Sequence, residues 1–393
     1  MPALPTATRL GLLYALVFAG IGVAMPFLPL WLASLALAPE TIGFLLALPI
    51  GVKILATAPL MGLVDRGVAA RRILVAGSLG LFLTYAAMPA AAGFGWPFLA
   101  VLIAANAVAA APLVPCLDYL SLAAVRREPR LAYARIRLGG SLGFLAASLG
   151  GGWLLGLVGE RAGATVFLAV LALVSAAGSA VFLGLRRGEP PAPARSTAAA
   201  PARPGRMPPA LLLAMGAAAL VQASHAAVYA FGSIQWAALG LSPAAIGLAW
   251  AVGVVAEIAV FAVIGRVPAL NDAPFRLLVL GAAAALLRWA GLVGTAALPA
   301  AILPLQVLHG LTFGATQLGV MAALSRLAPD GARGAAQGRY SALAALASAL
   351  ATVASGAAFR IGGGPAALAL MLPVAGLGLA LALAAGRARR SLD

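Results

Sequence analysis

A lysine and a glutamate occupy equivalent positions in a repeated apolar stretch. The pattern of residues 37–54, which contains Lys53, recurs in residues 241–258, where Glu257 stands 204 positions after Lys53. Lys53 is the only lysine in a chain with 25 arginines. Charges inside a bilayer are costly and commonly functional. The pattern indicates a duplicated membrane protein in which Lys53 can hold an anionic group and Glu257 can exchange a proton.

Each of these two charges also has a purely structural interpretation, in which a neighbour neutralises it. Lys53 lies about 11 residues into its apolar segment, close to half of a hydrocarbon core of roughly 30 Å. Arg288, on the next antiparallel segment, is the candidate partner of Glu257, and such a pair is compatible with proton coupling. Lys53 has no equally obvious partner in the sequence, which favours a contact with an anionic substrate.

Asp118 and Arg137 form a second candidate ion pair, on the fourth and fifth apolar segments. Asp118 lies in the inner half of its segment, and Arg137 enters the next segment from the same side, which carries most of the arginines. A hydrogen-bonded pair at this place can act as a cytoplasmic gate that is made in one state and broken in another. A permanent brace between neighbouring helices is the alternative.

His225 and His309 are the two histidines of the chain. Histidine titrates near physiological pH, so either can relay a proton or donate a hydrogen bond to a substrate. Packing inside the protein is the alternative. Tyr229 and Gln306, on the same two segments, complete the predicted substrate site. Aromatic residues that can form its wall are Tyr14, Phe18, Trp31, Tyr229, Phe231, Trp236 and Trp250, although Trp31 and Trp236 also suit an interfacial belt.

The elements that position these residues are long apolar segments. Hydrophobic residues make up 63% of the chain, charged residues 9%, and the mean hydropathy is +1.05, which excludes an ordinary soluble domain. A membrane-spanning helix needs about 20 mostly apolar residues. The sequence predicts twelve such segments: 10–36, 42–64, 72–91, 97–124, 134–157, 163–186, 208–238, 243–265, 275–296, 299–326, 334–360 and 364–386.

Small residues recur with helical spacing in the fifth segment. Gly139, Gly140 and Gly143 form the kind of surface that permits close helix packing in lipid. A biased overall composition is the alternative explanation for any one of these glycines.

The distribution of charge gives the orientation. The net charge is +16, and with the amino terminus inside, the cytoplasmic segments hold 22 arginines against six acidic residues. This asymmetry places both termini in the cytoplasm. The basic residues are therefore orientation signals, and nucleic-acid binding is excluded as an interpretation. Cys116 is the only cysteine, which excludes an intrachain disulfide and a cysteine-based metal site.

One polar break divides the apolar segments into two sets of six. Residues 187–207 are rich in proline, alanine and arginine, which predicts a disordered cytoplasmic linker between domains at 1–186 and 208–393. Together with the repeat, this predicts an all-α polytopic membrane protein. Its two six-helix bundles are related by an axis along the membrane normal, as in the major facilitator fold.

The loop after the second segment resembles the signature loop of the major facilitator superfamily. Met61-Gly62-Leu63-Val64-Asp65-Arg66-Gly67 is followed by Arg71-Arg72, but Met61 stands at the leading glycine position. The resemblance implies that Asp65 and Arg66 form a conformational latch on the cytoplasmic side. A plain charged turn at a helix end is the alternative.

Several further motifs are similar to those of the phenylpropionate permease family within that superfamily. They are Pro29-Leu30-Trp31-Leu32, Pro112-Leu113-Val114-Pro115 with Asp118, Arg135-Ile136-Arg137-Leu138, residues 222–231, Gly253-Val254-Val255-Ala256-Glu257, Arg288-Trp289, and residues 306–313. The resemblance implies a proton-coupled importer of aromatic carboxylates such as phenylpropionate. Gly139 departs from it, because that family often has an aromatic residue there, and the change would reshape the pocket.

These observations predict a secondary-active transporter in the inner membrane that works by alternating access. The expected partners are a small organic anion, protons and lipid, with no cofactor or metal and a monomeric chain. A proton-driven exporter of drugs or metabolites is the alternative on the same fold. A lipid-modifying enzyme would need clustered catalytic groups, and the sequence shows none. A sensor of the same fold would show no substrate flux.

Overall fold

All regular secondary structure in the described residues is helical. The computed structural model describes residues 5–128, 130–159, 207–264, 266–267, 273–329 and 332–390, residue 165, and short pieces at 168–170, 172–174 and 176–178. Ten helices in these ranges are long and apolar enough to cross a membrane. They are α1 Thr6–Ser34, α2 Pro39–Asp65, α3 Ala70–Gly93, α4 Trp96–Arg127, α5 Tyr133–Val158, α6 Pro209–Ala238, α7 Pro243–Ile264, α8 Pro274–Gly294, α9 Pro299–Leu327 and α10 Arg333–Arg389.

These helices follow the predicted segments closely. The sixth segment, 163–186, lies largely outside the described residues, so the α numbers run one behind the segment numbers from α6 onward. The last two segments form one continuous element, α10, with non-helical backbone at Gly362 and Gly363. Gly363 has φ +63°, a conformation that favours glycine. The two predicted segments therefore meet at a glycine bend.

Proline and local irregularities set the ends and bends of the helices. Five helices, α2 and α6–α9, begin with proline, whose fixed φ suits the first helical turn. A turn before Leu113 divides α4 into Trp96–Ala110 and Leu113–Arg127. Both α6 and α9 contain a π-helical turn, at Val228–Gly232 and Gly310–Ala315. Such turns often mark functional sites.

The chain forms two compact units. One contains Met1–Leu37, Leu48–Ser196 and Ser242–Leu248, and the other contains Ala38–Ala47, Thr197–Leu241 and Ala249–Asp393. The two short segments 38–47 and 242–248 lie within the two copies of the repeat, and each belongs to a different unit from the rest of its helix. The predicted linker lies outside the described residues apart from Met207, so the domain boundaries at 1–186 and 208–393 stay a prediction.

In the first unit, glycines bring α1 and α5 into close contact. A Cβ atom on Gly139 would lie 2.2 Å from the Gly11 carbonyl oxygen, and one on Gly143 would lie 2.1 Å from the Ala15 carbonyl oxygen. Farther along the same pair, the Ser148 hydroxyl donates to the Gly22 carbonyl at 2.8 Å. The predicted small-residue packing surface on α5 is therefore confirmed.

We expect Gly143→Ala to lower the free energy of unfolding by about 1–3 kcal/mol, because the added methyl group overpacks the α1–α5 contact. Gly150→Ala is the matched control on the same helix, since a Cβ there meets no atom within 4 Å. Thermal unfolding of the detergent-solubilised variants measures both changes. Equal melting temperatures for the two variants would contradict the packing argument.

The repeated segment crosses another helix in the same way in each unit. In the first unit, a Cβ on Gly152 would lie 2.4 Å from the Pro243 carbonyl oxygen. In the second, a Cβ on Gly356 would lie 2.8 Å from the Pro39 carbonyl oxygen. Gly356 lies 204 positions after Gly152, and Pro243 lies 204 positions after Pro39. The duplication therefore preserves a glycine-dependent backbone crossing.

An ion pair distinguishes the two crossings. In the second unit the Arg360 guanidinium contacts the Glu40 carboxylate. The equivalent positions in the first unit are Ala244 and Gly156, which carry no charge. The crossing in the second unit is therefore the one that responds to ionic strength and charge.

Candidate functional site

A buried polar cluster in the second unit centres on Arg288 of α8. The residue is 1% exposed. Its Nη1 donates to His309 Nδ1 at 3.0 Å and to the Thr312 hydroxyl at 3.3 Å, and its Nη2 donates to Gln306 Oε1. Arg288 Nε is buried without a partner. The three side chains that accept hydrogen bonds from Arg288 are neutral. None of them compensates the positive charge of the guanidinium.

Gln306 connects Arg288 to a third helix. Its amide nitrogen donates to the Ala249 carbonyl on α7 at 3.1 Å, while its amide oxygen accepts from Arg288. The side chain is 2% exposed. Gln306 therefore fixes the position of the guanidinium between α7, α8 and α9. The predicted direct contact of Gln306 with substrate stays a prediction.

His309 is held in one tautomer by Arg288. A guanidinium has donors only, so His309 Nδ1 must accept, and the proton of the neutral ring is on Nε2. His309 Nε2 forms no hydrogen bond with a described residue. It is also not one of the fully buried polar atoms that lack a partner. The close approach of Gly253 on α7 makes room for the ring, since a Cβ there would lie 3.3 Å from His309 Cδ2. His309 thus presents an N–H donor away from Arg288.

His225 has the opposite arrangement and is fully buried. Its Nδ1 lies 3.0 Å from the Val221 carbonyl oxygen, which requires a proton on Nδ1. Its Nε2 lies 2.8 Å from the Thr312 hydroxyl, which therefore donates to the neutral ring. Both nitrogens are occupied inside the protein. The predicted contacts of His225 with substrate and protons stay predictions.

Aromatic rings enclose the cluster. The Arg288 guanidinium carbon lies 4.8 Å from the Trp289 ring centroid, and Trp289 Nε1 donates to the Ser224 hydroxyl at 3.0 Å. Tyr229 stands 5.8 Å from Trp250 and 6.3 Å from His309, measured between ring centroids. Two of the predicted wall residues, Tyr229 and Trp250, therefore lie beside this cluster. Trp236 packs beside Trp250 and is 3% exposed, and Trp31 is 1% exposed, so both indole rings pack against protein. Their assignment to the pocket wall or to an interfacial belt stays a prediction.

Glu257 lies next to this cluster on α7. It follows Gly253, which touches His309, by one helical turn, and it interacts electrostatically with Tyr229. The side chain is partly exposed. The predicted Glu257–Arg288 ion pair is not among the hydrogen bonds of Arg288 described above, and it stays a prediction. The predicted role of Glu257 in proton coupling also stays a prediction.

In the first unit the structure brings Asp118 and Arg137 together. Arg137 Nε lies 3.9 Å from Asp118 Oδ1. The same carboxylate oxygen accepts hydrogen bonds from the Tyr14 and Tyr133 hydroxyls. The pairing of Asp118 with Arg137 is as the sequence predicts, whereas its role as a gate stays a prediction.

Lys53 stands apart from these groups on α2. Its side chain is exposed, and no described residue forms a hydrogen bond or an ion pair with its ammonium group. The Thr57 hydroxyl contacts only its backbone carbonyl, at 2.7 Å. The sequence-based expectation of an unpartnered lysine therefore agrees with the described contacts.

Asp65 and Arg66 end α2 and are both exposed. The backbone there turns through Gly67, which has φ +91°, and Val68 N–H donates to the Leu63 carbonyl at 3.0 Å. This is a glycine-terminated helix end. The latch function of Asp65 and Arg66 stays a prediction.

Two hydroxyl residues of the clusters were not predicted from the sequence. Thr312 joins His225 to Arg288, and Tyr133 supplies the second donor to Asp118. Thr312 follows His309 by three residues, a helical spacing that places two side chains on one face. That spacing was the available signal for Thr312. Tyr133 lies four residues before Arg137, so the same rule applies to it.

Comparison with known proteins agrees with this architecture. Residues 7–367 match the model of the MFS_1 like family. The chain is 31% identical over 319 residues to the probable 3-phenylpropionic acid transporter of Escherichia coli (strain K12), covering 79% of this chain and 80% of that protein.

Solved transporter structures share the fold. The nucleoside transporter NupG matches with a TM-score of 0.77 and 16% identity over 98% of this chain and 99% of NupG. The POT family transporter PepTSo matches with a TM-score of 0.71 and 14% identity over 98% and 97% of the two chains. The all-helical fold, the family match and the similarity to a curated transporter agree. The chain is therefore a multi-pass membrane transporter that belongs to the MFS_1-like family of the major facilitator superfamily.

Proposed function

We propose that this protein is a proton-coupled secondary transporter that moves a small aromatic carboxylate, such as 3-phenylpropionate, by alternating access. The observation that carries the proposal is the hydrogen bond from the buried Arg288 guanidinium to His309 Nδ1. It joins a group suited to an anion and a group suited to a proton. The name of the Escherichia coli relative supports the same substrate class.

The charge of the Arg288 cluster favours an anionic substrate. Burying a charge costs several kcal/mol unless it is paired or hydrogen bonded. Arg288 is surrounded by aromatic rings and neutral acceptors, and its Nε has no partner. A carboxylate is the natural counter-ion of a guanidinium, and an aryl group suits rings such as Tyr229 and Trp250.

Proton binding and anion binding are linked at His309. The ring can take a second proton only at Nδ1, the atom that now accepts from Arg288. Protonation of His309 therefore breaks this hydrogen bond and releases an Arg288 amino group to a substrate carboxylate. The titratable groups that contact His309 are Arg288, His225 and Tyr229, and Glu257 interacts with Tyr229. Glu257 is the proposed group that delivers or accepts the proton.

Lys53 contributes a second positive charge in the first unit. Its ammonium is exposed on a helix that spans the membrane, and an ammonium facing lipid at that depth is costly. We therefore place Lys53 toward a water-filled space, where it attracts the anion. The asymmetric arginine distribution supports a location in the inner membrane with both termini in the cytoplasm. We propose a monomer as the transporting unit.

Uptake by proteoliposomes tests this function. We expect the purified protein to accumulate 3-phenylpropionate when the outside is more acidic than the inside, and to lose this accumulation when a protonophore is added. Empty liposomes control for passive entry of the uncharged acid. Absence of protein-dependent flux under either direction of the gradient would refute the proposal. Protein-dependent flux of 3-phenylpropionate that occurs only out of the liposomes, driven by an imposed proton gradient, would instead support an exporter.

A further inference from the structure

Arg137 is held in an arrangement that binds anions, and the pair with Asp118 does not occupy it fully. Its guanidinium carbon lies 4.3 Å from the Phe18 ring centroid and 5.2 Å from the Tyr14 ring centroid. Stacking on aromatic rings fixes the plane of a guanidinium while leaving its edges available for hydrogen bonds. The two rings and α5 therefore orient Arg137 in advance.

The contact with Asp118 involves only the Nε side of Arg137. The distance from Nε to Asp118 Oδ1 is 3.9 Å, which is long for a hydrogen bond. That oxygen already accepts from the Tyr14 and Tyr133 hydroxyls. Asp118 is therefore stabilised without Arg137, and the pair leaves the two terminal amino groups of Arg137 uncommitted.

The terminal amino groups are also accessible. No described residue accepts a hydrogen bond from them, and 35% of the Arg137 side chain is exposed. Gly140 keeps the position open, because a Cβ there would lie 3.0 Å from Arg137 Nη1 and 3.1 Å from the Phe18 ring. The absence of a side chain at Gly140 lets Arg137 rest on Phe18 with its outer edge free.

From this geometry we infer that Arg137 is a substrate-contacting residue, whose terminal amino groups bind the carboxylate of the transported aromatic acid in two parallel hydrogen bonds. The inference rests on the proposed function and assigns to Arg137 a binding role beyond that of a gate. Paired N–H donors of this kind match a carboxylate in both charge and shape. Phe18 and Tyr14 provide apolar surface beside the bound acid.

Equilibrium binding to the purified full-length protein tests the inference. The probes are 3-phenylpropionate and its neutral analogue 3-phenylpropionamide, measured by isothermal titration calorimetry in detergent. We expect the wild type to prefer the acid, and Arg137→Gln to weaken acid binding by at least about tenfold, ~1.4 kcal/mol, while amide binding changes by less than about twofold. Arg135→Gln is the matched control, because Arg135 is exposed on the same helix turn.

The amide also reports whether the pocket is intact in each variant. If Arg137→Gln does not fold, Arg137→Lys replaces it, since lysine keeps the charge but loses the paired donors, and we expect the same loss of acid preference. An unchanged acid preference in a folded variant overturns this inference and leaves the proposed transport function standing. A wild type that neither binds nor transports the acid overturns the proposed function, and this inference with it.

Asp118→Asn separates substrate binding from gating. If Arg137 binds the acid, removing the neighbouring negative charge leaves acid binding at least as tight as in the wild type. If the pair only closes a gate, Asp118→Asn and Arg137→Gln change acid binding in the same direction and by similar factors. Parallel losses in the two variants therefore overturn the binding role of Arg137.

Discussion

We expect Arg288→Lys to lower the initial rate of 3-phenylpropionate uptake by about 100-fold. Arg288 directs two separate amino groups to His309 Nδ1 and Gln306 Oε1, and a single ammonium cannot reproduce this fork. Each hydrogen bond that involves a charged group contributes about 1.5–3 kcal/mol, so the loss of one accounts for the expected change. Uptake is measured in proteoliposomes and normalised to folded protein.

Stability must be separated from function in this experiment. Lysine leaves the buried Gln306 amide oxygen without its donor, which lowers the free energy of unfolding by about 1–3 kcal/mol. Size-exclusion chromatography and thermal unfolding identify the folded fraction. Arg276→Lys is the matched control, because Arg276 is an exposed arginine near the start of the same helix. Wild-type uptake by folded Arg288→Lys protein would show that the guanidinium fork is dispensable.

The sequence predicts which helices carry the site residues, but it does not specify all of their hydrogen-bond partners. Asp118 and Arg137 lie at similar depths on consecutive segments, and the structure places them 3.9 Å apart. The same reasoning pairs Arg288 with Glu257, whereas the described hydrogen bonds of Arg288 go to α9. Rise per residue fixes depth in a helix, but the contacts also depend on how each helix is rotated about its axis. The positions of the segments in the sequence do not specify how each helix is rotated.

The π-helical turns explain part of this difference. They begin shortly after His225 on α6 and directly after His309 on α9. A π turn takes up an extra residue and changes the direction of the side chains beyond it. A regular helical wheel therefore gives the wrong direction for side chains that follow these turns, whereas the three-residue spacing of Thr312 from His309 stays informative. The apolar pattern of both segments is continuous and carries no sign of these turns.

The sequence repeat, in contrast, corresponds directly to a repeated structural contact. Its two copies, 37–54 and 241–258, provide the glycine-dependent crossings in the two units. Glycine is required where two backbones approach this closely, so its recurrence at one offset marks both contacts. Close backbone contacts can be recognised in the sequence because they require glycine. Side-chain networks such as that of Arg288 depend on rotamers, which the sequence does not specify.

The second large effect concerns Lys53. We expect Lys53→Ala to reduce uptake of 3-phenylpropionate to the level of empty liposomes, with little change in the melting temperature. No described residue pairs with the Lys53 ammonium, so its removal leaves no buried group unsatisfied. Lys53→Arg keeps the charge and should retain part of the activity. Thr57→Val is a neutral control, because the Thr57 hydroxyl contacts only the Lys53 carbonyl.

Substrate protection tests the same residue without a mutation. Lys53 is the only lysine of the chain, so an amine-reactive ester modifies one side chain and, at most, the amino terminus. Peptide mass spectrometry distinguishes the two sites. We expect 3-phenylpropionate, but not its neutral amide, to slow acylation of Lys53, because a bound carboxylate stabilises the unreactive ammonium form. Equal acylation rates with and without the acid, together with normal uptake by Lys53→Ala, would remove Lys53 from the substrate pathway.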